Sequence, residues 1–207
     1  MQAVQLLLLT LLPALAVRAQ SFHKGQCPVP PVQQDFDVTR YMGRWYGIEK
    51  LPAVFQTGKC SQATYTLQSD GQIKVLNQGL HSDGEIGNTK GLASVADLSD
   101  PAELKVIFSE NPRPHPYWVL ATDYDSYSLV YSCTKVDEQS YVEFAWIMSR
   151  SRSLPADTIT ELKDKLHSDD IETDTMTVTD QTGCGSIVNY LDLNSHCHYT
   201  HWSQHSP

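Results

Sequence analysis

Beyond its first nineteen residues the chain has no apolar stretch near the roughly 20 residues a membrane-spanning helix needs. Positive charge is scarce. Lys and Arg number 15 against 24 Asp and Glu, a formal net charge of −9, and such a surface repels phosphate backbones and anionic headgroups. No nucleic-acid partner is therefore expected. The chain also lacks a Gly-x-Ser-x-Gly elbow, a His-Glu-x-x-His zinc motif and a Gly-rich phosphate loop, so no catalytic residue and no cofactor is assigned. Asn88 and Asn194 are each followed by a sequence that fails the glycosylation pattern, so no N-linked glycan is expected.

The apolar run that is present, Leu6 to Val17, is too short to cross a bilayer and ends in the small residues Val17 and Ala19. Residues 1–19 are read as a signal peptide, although no Lys or Arg in the first five residues supplies the usual positive end. Secretion to the extracellular space follows. Removing the leader takes away Arg18 alone among charged residues, so the mature chain is more acidic still. Residues 20–184 read as one domain, and residues 185–207, rich in Ser and His without core periodicity, as a disordered tail. His196, Cys197, His198, His201 and His205 are metal-capable, but a disordered tail offers no second layer of groups to orient them, and no metal site is assigned.

Short alternating segments fill the domain. Ala63, Tyr65 and Leu67 alternate with Thr64 and Thr66, and Ile73 and Val75 with Gln72 and Lys74, across a hairpin turn at Ser69, Asp70 and Gly71. Leu104, Val106 and Phe108 repeat the pattern, followed by strands over 117–121, 127–132 and 141–148. Glu110 to Pro116 reads as a stiff polar loop, and Cys27 to Pro31 as an extended segment crossing the domain's closed end. One helix opens at Ser153, Leu154 and Pro155, where Ile159, Leu162 and Leu166 recur at helical spacing, and a short strand over 175–179 follows it. An all-β chain of this kind forms a barrel or a sandwich, and pattern alone leaves the two equal.

Tyr65, Leu67, Ile73, Val75, Asn77, Leu104, Val106, Phe108, Phe144, Trp146 and Met148 fall on the inward face, which suits an apolar molecule with one polar end. Tyr65 and Asn77 are the expected polar contacts and Trp146 the expected wall. His81 falls near the mouth if alternation continues through Gly79, as a hydrogen-bonding imidazole or as a solvated loop residue.

Gly43, Arg44, Trp45 and Tyr46, answered downstream by Thr122, Asp123 and Tyr124 and then by Arg150, suggest a buried indole covered by a guanidinium at a barrel floor. In this order, Gly43, Trp45, Thr122, Asp123, Tyr124 and Arg150 resemble the three signature segments of the lipocalins. That resemblance implies an eight-stranded antiparallel up-and-down barrel with one C-terminal α-helix packed outside it. It implies a carrier for a small hydrophobic ligand, a steroid or long-chain fatty acid, with lipoprotein particles or a cell-surface receptor as further partners. Lipid-peroxide scavenging through Met or Cys197, or a lipocalin-type isomerase using a cavity cysteine, are the alternatives. Five cysteines in an oxidising compartment leave one over, and their pairing is open from sequence. The resemblance implies Cys27 with Cys133 and Cys60 with Cys184. Cys197 is then free for an intermolecular disulfide.

Overall fold

The computed structural model describes residues 21–185 and 187. The leader assigned to 1–19 lies outside the described residues, as do Cys197 and the tail histidines. Ten strands form one sheet: β1 (Ser21–Lys24), β2 (Gly43–Lys50), β3 (Lys59–Leu67), β4 (Ile73–Leu80), β5 (Ile86–Val95), β6 (Glu103–Phe108), β7 (Asn111–Thr122), β8 (Tyr127–Asp137), β9 (Ser140–Ser149) and β10 (Thr177–Val178). From β2 to β9 each strand pairs antiparallel with the next, and β9 returns to β2, with Tyr46 opposite Ser149 and Lys50 opposite Trp146. The result is the expected eight-stranded closed barrel. The other half of β9 takes β1, and β10 lies beside Lys50 and Glu49 of β2.

Alternation along the strands separates two cores. Trp45, Tyr65, Ile73, Val75, Leu104, Val106, Val130 and Met148 pack together inside the barrel. Outward residues of β8 and β9, among them Leu129, Tyr131, Ala145 and Ile147, pack against Leu162 and Leu166 of helix α2 (Ala156–Ser168). Full burial of such aliphatic side chains is worth about 1.5–3 kcal/mol each, enough to hold α2 on the outside of the barrel.

Two local expectations are corrected. Residues 111–116 extend strand β7 instead of forming a loop, so the turn shrinks to Ser109 and Glu110. Three alternate prolines are tolerated there because β8 pairs only with Trp118 to Thr122, leaving the proline stretch bonded on one side. Leu67, at the end of β3, is 40% exposed rather than interior. Strand β5 and the single-turn helix α1 (Val38–Tyr41) carry no readable periodicity. The latter is nucleated by Asp37, whose carboxylate accepts from the Thr39 and Arg40 amides.

Candidate functional site

Trp45 is fully buried at the closed end of the barrel, and its indole Nε1 donates to the Tyr41 carbonyl at 2.9 Å. The Arg150 guanidinium lies 3.7 Å from the centre of the indole ring. Its nitrogens donate to the carbonyls of Tyr124 (2.9 Å), Arg44 (2.8 Å), Arg40 (3.1 Å) and Tyr41 (3.3 Å). Gly43 has φ +94°, and a Cβ there would meet Arg150 Nη1 at 3.3 Å, so both backbone and space ask for glycine. Asp123 accepts from the amides of Asp125, Ser126 and Tyr127 and from the Ser126 hydroxyl, fixing the β7–β8 turn. Thr122 Oγ1 donates to the Tyr127 carbonyl and accepts from the Tyr124 amide, while the Tyr124 hydroxyl accepts from the Asp37 amide. The signature residues thus share one structural task, sealing this end.

Above the floor lies a small cavity of about 30 Å³, room for about one water. Tyr65, Ile73, Val75, Asn77, Leu104, Val106 and Phe108 line it, joined by Tyr41, Met42, Ala93 and Tyr117. Tyr41 and Tyr117 were not singled out from sequence, although Tyr117 stands opposite Leu104 and shares its face. They complete a chain of hydroxyls: Ser128 Oγ to Tyr41 (2.9 Å), Tyr41 to Tyr117 (2.9 Å), Tyr117 to Tyr65 (2.8 Å). Burial pushes the Tyr41 phenol up to about 12 and those of Tyr65 and Tyr117 well above their ordinary value. All three stay neutral. Four hydroxyl protons serve three bonds, so one proton is left over and the chain can donate or accept at its Tyr65 end.

Phe144, Trp146 and Met148 stand on the same inner face but do not line this cavity. Met148 is buried, while Phe144 and Trp146 stack on each other nearer the mouth, ring centroids 5.8 Å apart. The β2–β3 loop folds over them. Phe55 packs edge-on to Phe144 at 5.1 Å, and the Trp146 indole N–H donates to Gln56 Oε1 at 2.7 Å. No sequence pattern marks Gln56 or Phe55 as partners of this wall. His81 is exposed in the β4–β5 turn, its ring lying where a side chain on Gly87 would collide with it.

Both expected disulfides are formed. Cys27–Cys133 ties the N-terminal segment to β8, and Cys60–Cys184 ties the C-terminal segment to β3. No described cysteine is free for cavity chemistry.

A family model described as a lipocalin-like domain matches residues 36–181. Apolipoprotein D of Oryctolagus cuniculus is 50% identical over 182 residues, covering 86% of this chain and 96% of that protein. Apolipoprotein D of Mus musculus is 50% identical over 83% of this chain and 90% of its own length. The Lazarillo protein of Schistocerca americana is 34% identical over 72% and 71%. Among solved structures, insecticyanin from the tobacco hornworm Manduca sexta superposes with a TM-score of 0.68 at 26% identity, covering 78% of this chain and 89% of that one. Lobster apocrustacyanin A1 does so at 0.63 and 23% identity over 72% and 81%, a likeness of fold alone. The chain belongs to the lipocalin family, as an apolipoprotein D-like carrier of small hydrophobic ligands.

Proposed function

We propose that the protein is a secreted carrier whose cargo, a steroid or a long-chain fatty acid, sits in the barrel against Tyr65, Ile73, Val75, Asn77, Leu104, Val106, Phe108, Phe144, Trp146 and Met148. The observation that carries this reading is the inner face itself. It is apolar and aromatic, sealed below by Trp45 and Arg150, and around the cavity its polar groups are neutral hydroxyls and the Asn77 amide. Such a lining recognises shape and one terminal oxygen. Secretion is supported by the two disulfides and the leader pattern of residues 1–19. Lipoprotein particles or a cell-surface receptor are proposed as the partners that supply or collect the lipid, a reading supported by similarity to apolipoprotein D.

The cavity of about 30 Å³ is far below the roughly 300–1,000 Å³ of a ligand pocket, so binding requires the β2–β3 loop and the inward aromatics to move. That movement breaks the bond from Trp146 to Gln56, which makes Trp146 a reporter. Delipidated protein titrated with arachidonic acid and with progesterone should show saturable change in tryptophan fluorescence. Trp146→Ala, with near-ultraviolet circular dichroism showing the barrel intact, should lose most of that change and at least tenfold in affinity. A folded, lipid-free wild type that binds neither ligand would overturn the reading.

A further inference from the structure

Regular alternation along β2 from Trp45 through Gly47 would put Glu49 inside the barrel and Lys50 outside. A bulge between Gly47 and Glu49 reverses this. Glu49 pairs with Ile147 and faces outward, where its carboxylate meets Lys163 of α2 at 3.3 Å. Lys50 stands directly opposite Trp146, on the inner face near the mouth. Its backbone is held by β10, with Thr177 opposite it.

The Lys50 ammonium is half-buried, and burial draws its pKa below the usual lysine range. Among the described residues it has no acidic partner, and its recorded bond is to the Gln56 carbonyl at 2.9 Å. An ammonium has three donors, so two remain available. Gln56 thus engages both Lys50 and Trp146, its backbone carbonyl on one and its side chain on the other. Opening the loop to admit a ligand exposes the indole and the ammonium together.

The floor differs in kind. Its Tyr41, Tyr65 and Tyr117 phenols are neutral, and the nearby Arg150 guanidinium is committed to Trp45 and four carbonyls. A carboxylate driven down there would be desolvated without a counter-charge, which is costly.

We propose that Lys50 is the specificity-determining cation of the barrel mouth, pairing with the carboxylate of a long-chain acid that enters tail-first and replaces the Gln56 carbonyl on the ammonium. The proposal rests on the carrier reading and adds the head-group class and the orientation of the acid. Arg113 is the rival. It shares a strand face with Tyr117 but is exposed at the far end of β7.

The test compares arachidonic acid with its alcohol, arachidonyl alcohol, on the full mature chain, by tryptophan fluorescence at low and high salt. Lys50→Met should weaken the acid about tenfold and leave the alcohol within twofold, with Lys50→Arg restoring most of the acid's affinity. Arg113→Met should leave the acid-to-alcohol ratio unchanged. The acid's affinity in wild type should fall with added salt while that of the alcohol does not. If Lys50→Met unfolds, Lys50→Gln and the salt dependence carry the same comparison. Equal weakening of acid and alcohol, or a loss in Arg113→Met matching that in Lys50→Met, would overturn the assignment while leaving the carrier reading intact. Failure of wild type to bind either ligand would overturn both.

Discussion

Replacing Arg150 should unfasten the closed end of the barrel. Its guanidinium is stacked on a fully buried indole and bonded to carbonyls from three separate segments: Arg40 and Tyr41 of α1, Arg44 of β2, and Tyr124 after β7. The cation–π contact is worth roughly 1–2 kcal/mol, since the indole face is desolvated. The two short bonds, to Arg44 and Tyr124, contribute about 1 kcal/mol each after allowance for water that reaches a half-exposed side chain. The longer bonds to Arg40 and Tyr41 are taken as exchangeable with solvent. Arg150→Ala should therefore cost about 3–4 kcal/mol, and Arg150→Lys about half of that, because an ammonium keeps the charge but not the planar fork. For a domain of this size 1 kcal/mol corresponds to roughly 2–4 °C, so the alanine variant should melt about 10 °C lower. Urea unfolding with the disulfides intact measures the free energy, and near-ultraviolet circular dichroism reports the Trp45 environment. An alanine variant within about 0.5 kcal/mol of wild type, or a lysine variant equal to it, would refute the argument that the fork and the stacking seal the floor.

Three further outcomes are expected. Cys60→Ser with Cys184→Ser opens a bridge between residues 124 apart, for which the chain-entropy model gives about 4–5 kcal/mol, and should lower the urea midpoint sharply under non-reducing conditions. Gly58→Ala should destabilise by about 2 kcal/mol or more in a thermal melt, because Gly58 has φ +91° and a Cβ there runs into the Leu80 carbonyl. Glu143 is 1% exposed beneath β1, where it accepts from the Tyr131 hydroxyl at 2.8 Å and lies 3.1 Å from His23 Nε2, with Tyr141 and Glu172 nearby. Burial is the main cause raising its pKa, with Glu172 adding and Tyr131 and His23 opposing. An acid whose pKa is raised by folding stabilises fully below its unfolded value and loses that contribution as pH climbs through the folded one. Glu143→Gln should therefore gain stability relative to wild type between pH 5 and pH 8 in paired urea titrations, and a constant difference across that range would contradict the assignment.

Where side-chain chemistry is specific, the sequence was legible. Glycine at a positive φ, a Trp with a buried N–H and an Arg able to cover it restrict one another so strongly that three separated segments point to one floor. Strands β3, β4, β6 and β9 could be read because burial on one face enforces alternation. Strand β5 could not. Gly87, Asn88, Thr89, Lys90 and Gly91 offer no apolar face, and the strand is fixed by its neighbours, β4 on one edge and β6 on the other. Gly91 also lies where any Cβ would strike the Phe108 ring and the Ile107 carbonyl, a constraint belonging to the assembled barrel and not to the local sequence.

The mouth shows the same division more sharply. Glu49 and Lys50 are adjacent, and a period of two carried on from Trp45 assigns them opposite faces the wrong way round. The choice is made by one extra residue in β2, a strand that pairs with β9 along one edge while its other edge passes from β3 to β10. The bulge turns the residues beyond it to the other face. Its consequence is electrostatic: the carboxylate goes out to Lys163 and the ammonium goes in beside Trp146. An acidic residue at that inward position would repel a fatty acid, whereas the ammonium found there attracts one. The head-group preference proposed for Lys50 is therefore a property of strand register, which is why it could not be read before the barrel had closed.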